Sequence, residues 1–458
     1  MFSKEELLTI EDALKIADER YIKLLEENKN NKNKMVSLNR KQKKLWLVQN
    51  KLKNLINESK WKDWFLMKKI PFSPPDMSEE EVKLVAEVLK SGWITSGPKL
   101  AEFQEKLQDY CKVKNVNALN SATACMEMVL KILDIKQGDE IITTPYTYTA
   151  TSSVSVHRGI SLKYIDVKKD TFFMDYDKLY DAITDKTKVI MPVDIAGMPC
   201  DYDKIKEILK AKNREDIVIS CDSAHSFGAK YKGEIVGSQC DFHSFSFHAV
   251  KNLTTAEGGA LAYNFDEFKG IKDLNKIITF TSLHGQSKDA LSKMKAGAWE
   301  YDIINDGFKC NMTDINAAIG IVQLSRYEKM LERRKAIFDI YTNILGKEEF
   351  SIIPEYKNDL GTESSYHLYL YRVKGFDAIK RNKLIEYLAE EKGIATNVHY
   401  KPLPMLTLYK NLGFDINDYK NAYAQYENEI TLPVYSTLSL EDATYIAEEV
   451  VKAIKTIY

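Results

Sequence analysis

Along residues 3–27 the apolar positions Leu7, Ile10, Leu14, Ala17, Tyr21 and Leu24 recur at alternating steps of three and four. That spacing puts them on one face of a helix. The polar run EENKNNKNK (26–34) interrupts the pattern as a turn, and Leu38, Leu45, Val48, Leu52 and Leu55 resume it. The pattern predicts a helical hairpin. PFSPPD (71–76) closes it, because its three prolines cannot continue a helix. Beyond this point, short β-branched runs alternate with helical patterns as far as residue 335. EIITTPYTYTA (140–150), SLKYIDV (161–167), KVIMPVDIAG (188–197) and DIVIS (216–220) read as strands. ATACMEMVLKILDI (122–135) and DYDKIKEILKAKN (201–213) read as helices between them. That alternation predicts a mostly parallel sheet covered by helices on both faces. After the charged helix RYEKMLERRKAIFDIY (326–341), the segments SSYHLYLYRV (364–373), KLIEYLAEEKGI (383–394) and ATNVHY (395–400) predict a smaller α/β part with an antiparallel element. The reading is three parts: a helical extension over 1–70, a large domain over 71–335 and a small C-terminal domain over 336–458.

Composition narrows the class. The chain has 458 residues, 44% hydrophobic and 29% charged, enough to bury sizeable cores. Its 65 Lys/Arg nearly balance 66 Asp/Glu, which argues against wholesale nucleic-acid binding. The balance is uneven along the chain: residues 1–70 carry a net +7, leaving −8 for the rest, and residues 28–57 hold nine Lys/Arg with no acid. The six cysteines show no CxxC pairing, so they read as reduced small hydrophobes, and no metal site is expected. The start MFSKEELLTIEDALK is charged where a signal peptide is apolar, and no run approaches a membrane span. A soluble, cytoplasmic protein is the expectation. The extension is read as serving assembly, its arms packing on each other, on the body or on a partner chain.

The chemistry concentrates in CDSAHSFGAKYKGEIVGSQCDFHSFSFHAVKNLTTAEGGALAY (221–263). Asp222 falls where the strand DIVIS ends, and open α/β sheets bind ligands at strand carboxyl ends. Lys251, 29 residues on, sits among Ser, Phe, His, Thr and Gly, unlike a lysine on a solvated helix face. A shielded lysine that can lose its proton can bond an aldehyde cofactor, and an aspartate can hold a pyridine nitrogen protonated. On spacing alone, a Lys and an Asp in a buried segment more often form a structural pair.

Taken in order, DSAH (222–225), GAKYKGEIVG (228–237), FSFHAVKN (245–252) and EGG (257–259) resemble the signature of the DegT/DnrJ family of pyridoxal-phosphate-dependent sugar aminotransferases. The resemblance extends through SGWITSGPKLAEFQEKL (91–107), LNSATACMEMVL (119–130), GDEIITTPYTYTAT (138–151), YDIINDGFKCNMTDINAAIGIVQL (301–324) and TNVHYKPL (396–403). It implies a fold-type I aminotransferase of α/β class, with pyridoxal 5′-phosphate (PLP) as cofactor. Lys251 would bond the cofactor and carry a proton, Asp222 would pair with the pyridinium nitrogen, and Tyr148 would stack on the ring. His225 would sit by the phenolic oxygen, or else be a satisfied core histidine. Ala122 and Thr123 would bind the phosphate through backbone N–H groups, with Ser246 adding a hydroxyl. NSATA (120–124) also opens a helix, where such N–H groups and the helix dipole favour an anion. Asn120-Ser121 also reads as a plain N-cap.

His399 and Tyr400 would face the substrate. In GFKCN (307–311), where many relatives read G-Y-N-Y-R, Lys309 or Asn311 would reach the phosphate of a neighbouring subunit, which implies a homodimer with shared active sites. That variant resembles the aminoarabinose/perosamine branch. The function implied is transamination of a nucleotide-linked keto-sugar, at C4 rather than C3, with L-glutamate giving 2-oxoglutarate. The alternatives are amination of another small phosphorylated ketone, or a non-catalytic binding protein on the same fold.

Overall fold

The computed structural model describes residues 4–57, 68–287 and 300–457. It divides into two compact units: Met1–Lys69 with Glu390–Gly393, and the remainder from Ile70. Within the first unit, helices Lys4–Glu27 and Lys32–Asn57 form the hairpin that the periodicity predicts. Ile10, Leu14, Ala17, Tyr21 and Leu24 are half-buried between the arms. Gln42 donates to Asp18 Oδ1 at 3.3 Å and Gln49 to the Leu14 carbonyl at 3.2 Å, so the arms are pinned at two levels. Ser3 and the side chains of Leu7, Leu52 and Leu55 lie outside the described residues.

The second unit is built on a seven-stranded sheet. Its strands are β1 (Asn115–Leu119), β2 (Glu140–Thr143), β3 (Ser161–Tyr164), β4 (Thr187–Ile190), β5 (Val218–Asp222), β8 (Phe242–Ser246) and β9 (Gly259–Tyr263). Between β5 and β8 a two-residue pair, β6 (Lys230–Tyr231) and β7 (Glu234–Ile235), forms a separate antiparallel ribbon. The sheet order is β1-β9-β8-β5-β4-β2-β3, and only β9 runs against the others. β5 is buried along its whole length, and apolar clusters form on both sheet faces. This is the doubly covered sheet read from the alternation.

Some boundaries differ from the reading. The run 140–150 makes a strand only to Thr143. Pro145 cannot donate to a ladder, so Tyr146–Thr149 form a turn before helix Ala150–His157. Tyr148 is therefore a turn residue, not a strand residue. Helix Ala122–Ile132 stops short of Ile135, because Asp134 takes a left-handed φ of 50°. Further along, β10 (Ser351–Ile352), β11 (Tyr369–Val373) and β12 (Glu429–Leu432) form the antiparallel element. It packs in one apolar cluster with helices Tyr327–Leu345 and Leu440–Ile457. Among the described residues no helix is long and apolar enough to cross a membrane.

Candidate active site

The carboxyl end of β5 delivers Asp222, which is 5% exposed. Its Oδ2 accepts from Thr151 Oγ1 at 2.6 Å and its Oδ1 from the Ala224 N–H at 3.2 Å. Burial raises this carboxyl's pKa, while Thr151, Ala224 and the charge of Lys251 draw it back down. After β8 the chain loops through Phe247–Gly258 before returning as β9, and Lys251 sits in that loop. Its neighbour Asn252 pins the loop, donating to the Ser365 carbonyl at 2.6 Å and pairing with His367 Nδ1 at 2.9 Å. Burial lowers the Lys251 pKa to about 8 against the opposing pull of Asp222. An amine there loses its proton far more readily than an exposed lysine, about a tenth of molecules being unprotonated at pH 7.

His225 lies in the turn after β5, and the Ala196 N–H donates to its Nδ1 at 3.2 Å. Burial and Lys251 hold its pKa well below the ordinary value, so the ring is neutral. A neutral ring that accepts at Nδ1 carries its proton on Nε2, which lies 3.1 Å from Tyr400 Oη. The ring of Tyr148 stands 6.0 Å from that of Tyr400 and is 60% exposed, an aromatic face left open at a cavity wall.

After the carboxyl end of β1, Ser121 caps helix Ala122–Ile132 by accepting from the Ala124 N–H at 3.1 Å. The first-turn N–H groups of Ala122 and Thr123 have no intrahelical carbonyl to meet. Gly259, the first residue of β9, lies against them: a Cβ there would come within 2.4 Å of the Ala122 nitrogen.

One cavity of about 370 Å³ joins these pieces, lined by Ala122, Thr123, Tyr148, Asp222, His225, Ser246, Lys251, His399 and Tyr400. Those are nine of the eleven residues singled out from sequence. The other two lie elsewhere. Lys309 lines an adjoining open groove with Ser121 and Thr123, and Asn311 lines a third hollow, donating to Ser96 Oγ at 2.7 Å. Lys309 and Asn311 also bond each other. The groups suit PLP: an amine with lowered pKa, a buried carboxylate, an open aromatic face and a helix start closely backed by glycine.

Sequence reasoning missed the residues that support these groups. Thr151 holds Asp222 yet lies in a Thr/Ser-rich stretch with no distinguishing signal. Phe72 stacks on His399 with ring centroids 5.5 Å apart. Glu429 and Thr431 bond His399 from β12. A glutamate in the run EITLP was a readable oddity. Cys200, Cys221, Cys240, His243 and Asp194 also converge, with no CxxC to announce them. They form a hydrogen-bonded core: both His243 nitrogens are engaged, by Ser223 Oγ at 2.9 Å and by the Cys240 N–H at 3.0 Å. Asp194 accepts from Tyr202, Ser223, Ser226 and the Cys200 N–H.

A sheet of this order, with a lysine and an aspartate meeting at its carboxyl edge, defines a fold-type I aminotransferase. Residues 75–451 match the DegT/DnrJ/EryC1/StrS aminotransferase family, and the chain belongs to it. The putative sugar aminotransferase Spr1654 of Streptococcus pneumoniae, in its PMP-form, is 48% identical with a TM-score of 0.80; the match covers 85% of this chain and 100% of that one. The same protein has been solved in a PLP-form. An uncharacterized protein of Methanocaldococcus jannaschii is 40% identical over 392 residues, covering 85% of this chain and 97% of its own length. The spore coat polysaccharide biosynthesis protein SpsC of Bacillus subtilis is 34% identical over 389 residues, covering 84% of this chain and 97% of its own length. The chain is a PLP-dependent aminotransferase of amino-sugar biosynthesis.

Proposed function

We propose that this enzyme transfers the amino group of L-glutamate to a C4 ketone on a nucleotide-linked deoxy sugar, as the aminoarabinose/perosamine-type branch does. The observation that carries the reading is that Lys251 and Asp222 line one cavity together with a helix N-terminus. Bound PLP supplies the aldehyde that carries the amino group and the ring that takes up electrons. Lys251 would anchor the cofactor covalently, and its Nζ would carry a proton to and from the reacting carbon. Asp222 would hold the proton on the ring nitrogen, because a nearby negative charge raises that nitrogen's pKa. Tyr148 would cover the ring face, His225 would donate from Nε2 to the phenolic oxygen, and Ala122, Thr123 and Ser246 would hold the phosphate. His399 and Tyr400 meet the sugar. The enzyme works as a cytoplasmic homodimer in which Lys309 or Asn311 reaches the partner's phosphate; neither lines its own chain's cavity, which fits that role.

The test mixes enzyme, L-glutamate and a panel of nucleotide-linked keto-sugars and follows products by mass spectrometry. A C4 amine with stoichiometric 2-oxoglutarate is expected. An amine formed only at C3, or only from small phosphorylated ketones, overturns this reading.

A further inference from the structure

The support beneath His399 is more than packing. Asn397 and Thr431 exchange backbone hydrogen bonds at 3.1 and 2.8 Å, which lays the segment before His399 alongside β12. Because strand side chains alternate, Glu429 and Thr431 present to the same side. Thr431 Oγ1 lies 2.5 Å from Glu429 Oε1 and 2.9 Å from His399 Nδ1, and the His399 N–H donates to Glu429 Oε2 at 3.0 Å. Glu429 and Thr431 are wholly buried, whereas His399 lines the cavity. Phe72, stacked on the imidazole, fixes its plane.

A hydroxyl has one proton to donate, so the chain has two internally consistent states. With Glu429 ionised, Thr431 donates to Oε1 and accepts from His399 Nδ1–H, leaving Nε2 a bare acceptor. With Glu429 protonated on Oε1, that proton is donated to Thr431 Oγ1. Thr431 then donates to Nδ1, and Nε2 carries the hydrogen. One proton arriving at Nε2 converts the first state into the second. Nδ1 passes its proton to Thr431, Thr431 passes its own to Glu429, and no charge stays on the imidazole.

Resting on the reading of His399 as a substrate-side residue, we propose that Glu429 is a positioning residue that sets, through the Thr431 hydroxyl, whether His399 Nε2 offers the bound sugar a hydrogen-bond donor or an acceptor. The surroundings suit the role. Burial pushes the Glu429 carboxyl up to about 8, against the opposing Thr431 hydroxyl, the His399 N–H and the charges of Arg381 and Arg372. Arg372 is itself faced by Asp170 at 3.7 Å, Arg381 donates to the Glu429 carbonyl at 3.2 Å, and Tyr146 donates to the His399 carbonyl at 2.9 Å. Around His399 stand Lys251, His225, His367 and Tyr400, and burial lowers its pKa to about 4, so the imidazole stays neutral and only its tautomer changes.

The test reads the tautomer directly, by nitrogen NMR of the PLP-loaded enzyme with labelled histidine, His399 being assigned by its loss in His399→Asn. In the wild type, Nε2 is expected to carry the proton at pH 6.5 and Nδ1 at pH 9.5. In Glu429→Gln the amide oxygen must stay opposite the His399 N–H, which places the NH₂ toward Thr431. Nε2 then keeps its proton at both pH values. Thr431→Val preserves shape, cuts the chain at its middle and must also abolish the pH response. A folded, PLP-loaded variant of either kind whose His399 still switches tautomer with pH overturns the proposal. The tautomer readout needs no sugar, so a switch that follows Glu429 in an enzyme that aminates no nucleotide-linked sugar upholds this relay and refutes the substrate reading.

Discussion

Replacing Lys251 with Ala should remove the visible absorption of the bonded cofactor and abolish turnover, with the far-ultraviolet circular dichroism unchanged; retained activity would refute its role as anchor. Asp222→Asn keeps the shape and the Thr151 and Ala224 contacts but removes the charge. It should lower kcat by about two decades, on the order of 3 kcal/mol, while PLP still binds; a near-normal kcat would mean that another group holds the ring nitrogen. Glu429 carries a stability prediction of its own. Its carboxyl rises from the ordinary 4.5 to about 8 in the fold, so the folded state holds an extra proton between those values. The stabilisation is complete below pH 4.5 and is lost as pH climbs to about 8, at no more than about 1.4 kcal/mol per pH unit. Denaturant midpoints from pH 5 to 8 should fall more steeply for the wild type than for Glu429→Gln, and parallel slopes would show that Glu429 does not take up the proton. At this scale the sequence was most legible where one residue carries a proposed role by itself. Lys251, Asp222 and His225 sit in a contiguous signature, and the structure gathers them in one cavity. Thr151, Phe72 and Thr431 were illegible because they act by contacts between positions distant in the chain. Thr151 reaches Asp222 across 71 positions, Thr431 reaches His399 across 32, and Phe72 stacks on His399. Glu429, 30 positions from His399, was marked only as a glutamate in an apolar run.

Among the elements, the critical junction is where β9 meets the start of helix Ala122–Ile132. Hydrophobic pattern predicted the helix and strand propensity the sheet, but neither indicates how closely they must approach. Gly259 does: a Cβ would meet the Ala122 nitrogen and the Ser121 carbonyl carbon at 2.4 Å, and backbone cannot rotate aside. Gly259→Ala should therefore cost about 1–3 kcal/mol by overpacking and weaken PLP binding more than it weakens the fold, because the displaced atoms bear the first-turn N–H groups. Equilibrium PLP titration beside a melting curve separates the two effects. Unchanged PLP affinity would remove Ala122 and Thr123 from the phosphate site. The turn holding Tyr148 was misread as strand for a related reason. TTPYTYTA has the composition of a β-strand, and only Pro145 marks where the ladder must stop.

For the whole molecule, the division of labour is between the catalytic body and the hairpin. Family similarity covers residues 75–451, and relatives that match along 97% or more of their own length match only 84–85% of this chain. The hairpin's first helix carries a net −4 and its second +8, so the two arms attract each other, yet Trp46, Leu47 and Val48 remain exposed. Every residue lining the cavity lies beyond Ser73. A variant lacking residues 1–69 keeps Ile70, whose carbonyl accepts from the Ala395 N–H at 3.0 Å and whose side chain is buried in the second core. That variant should bind PLP and turn over as the full chain does, while light scattering reports a changed oligomer or the protein loses solubility. A variant that folds and keeps the full chain's assembly but loses its cofactor would place the hairpin in the active site, contrary to this assignment.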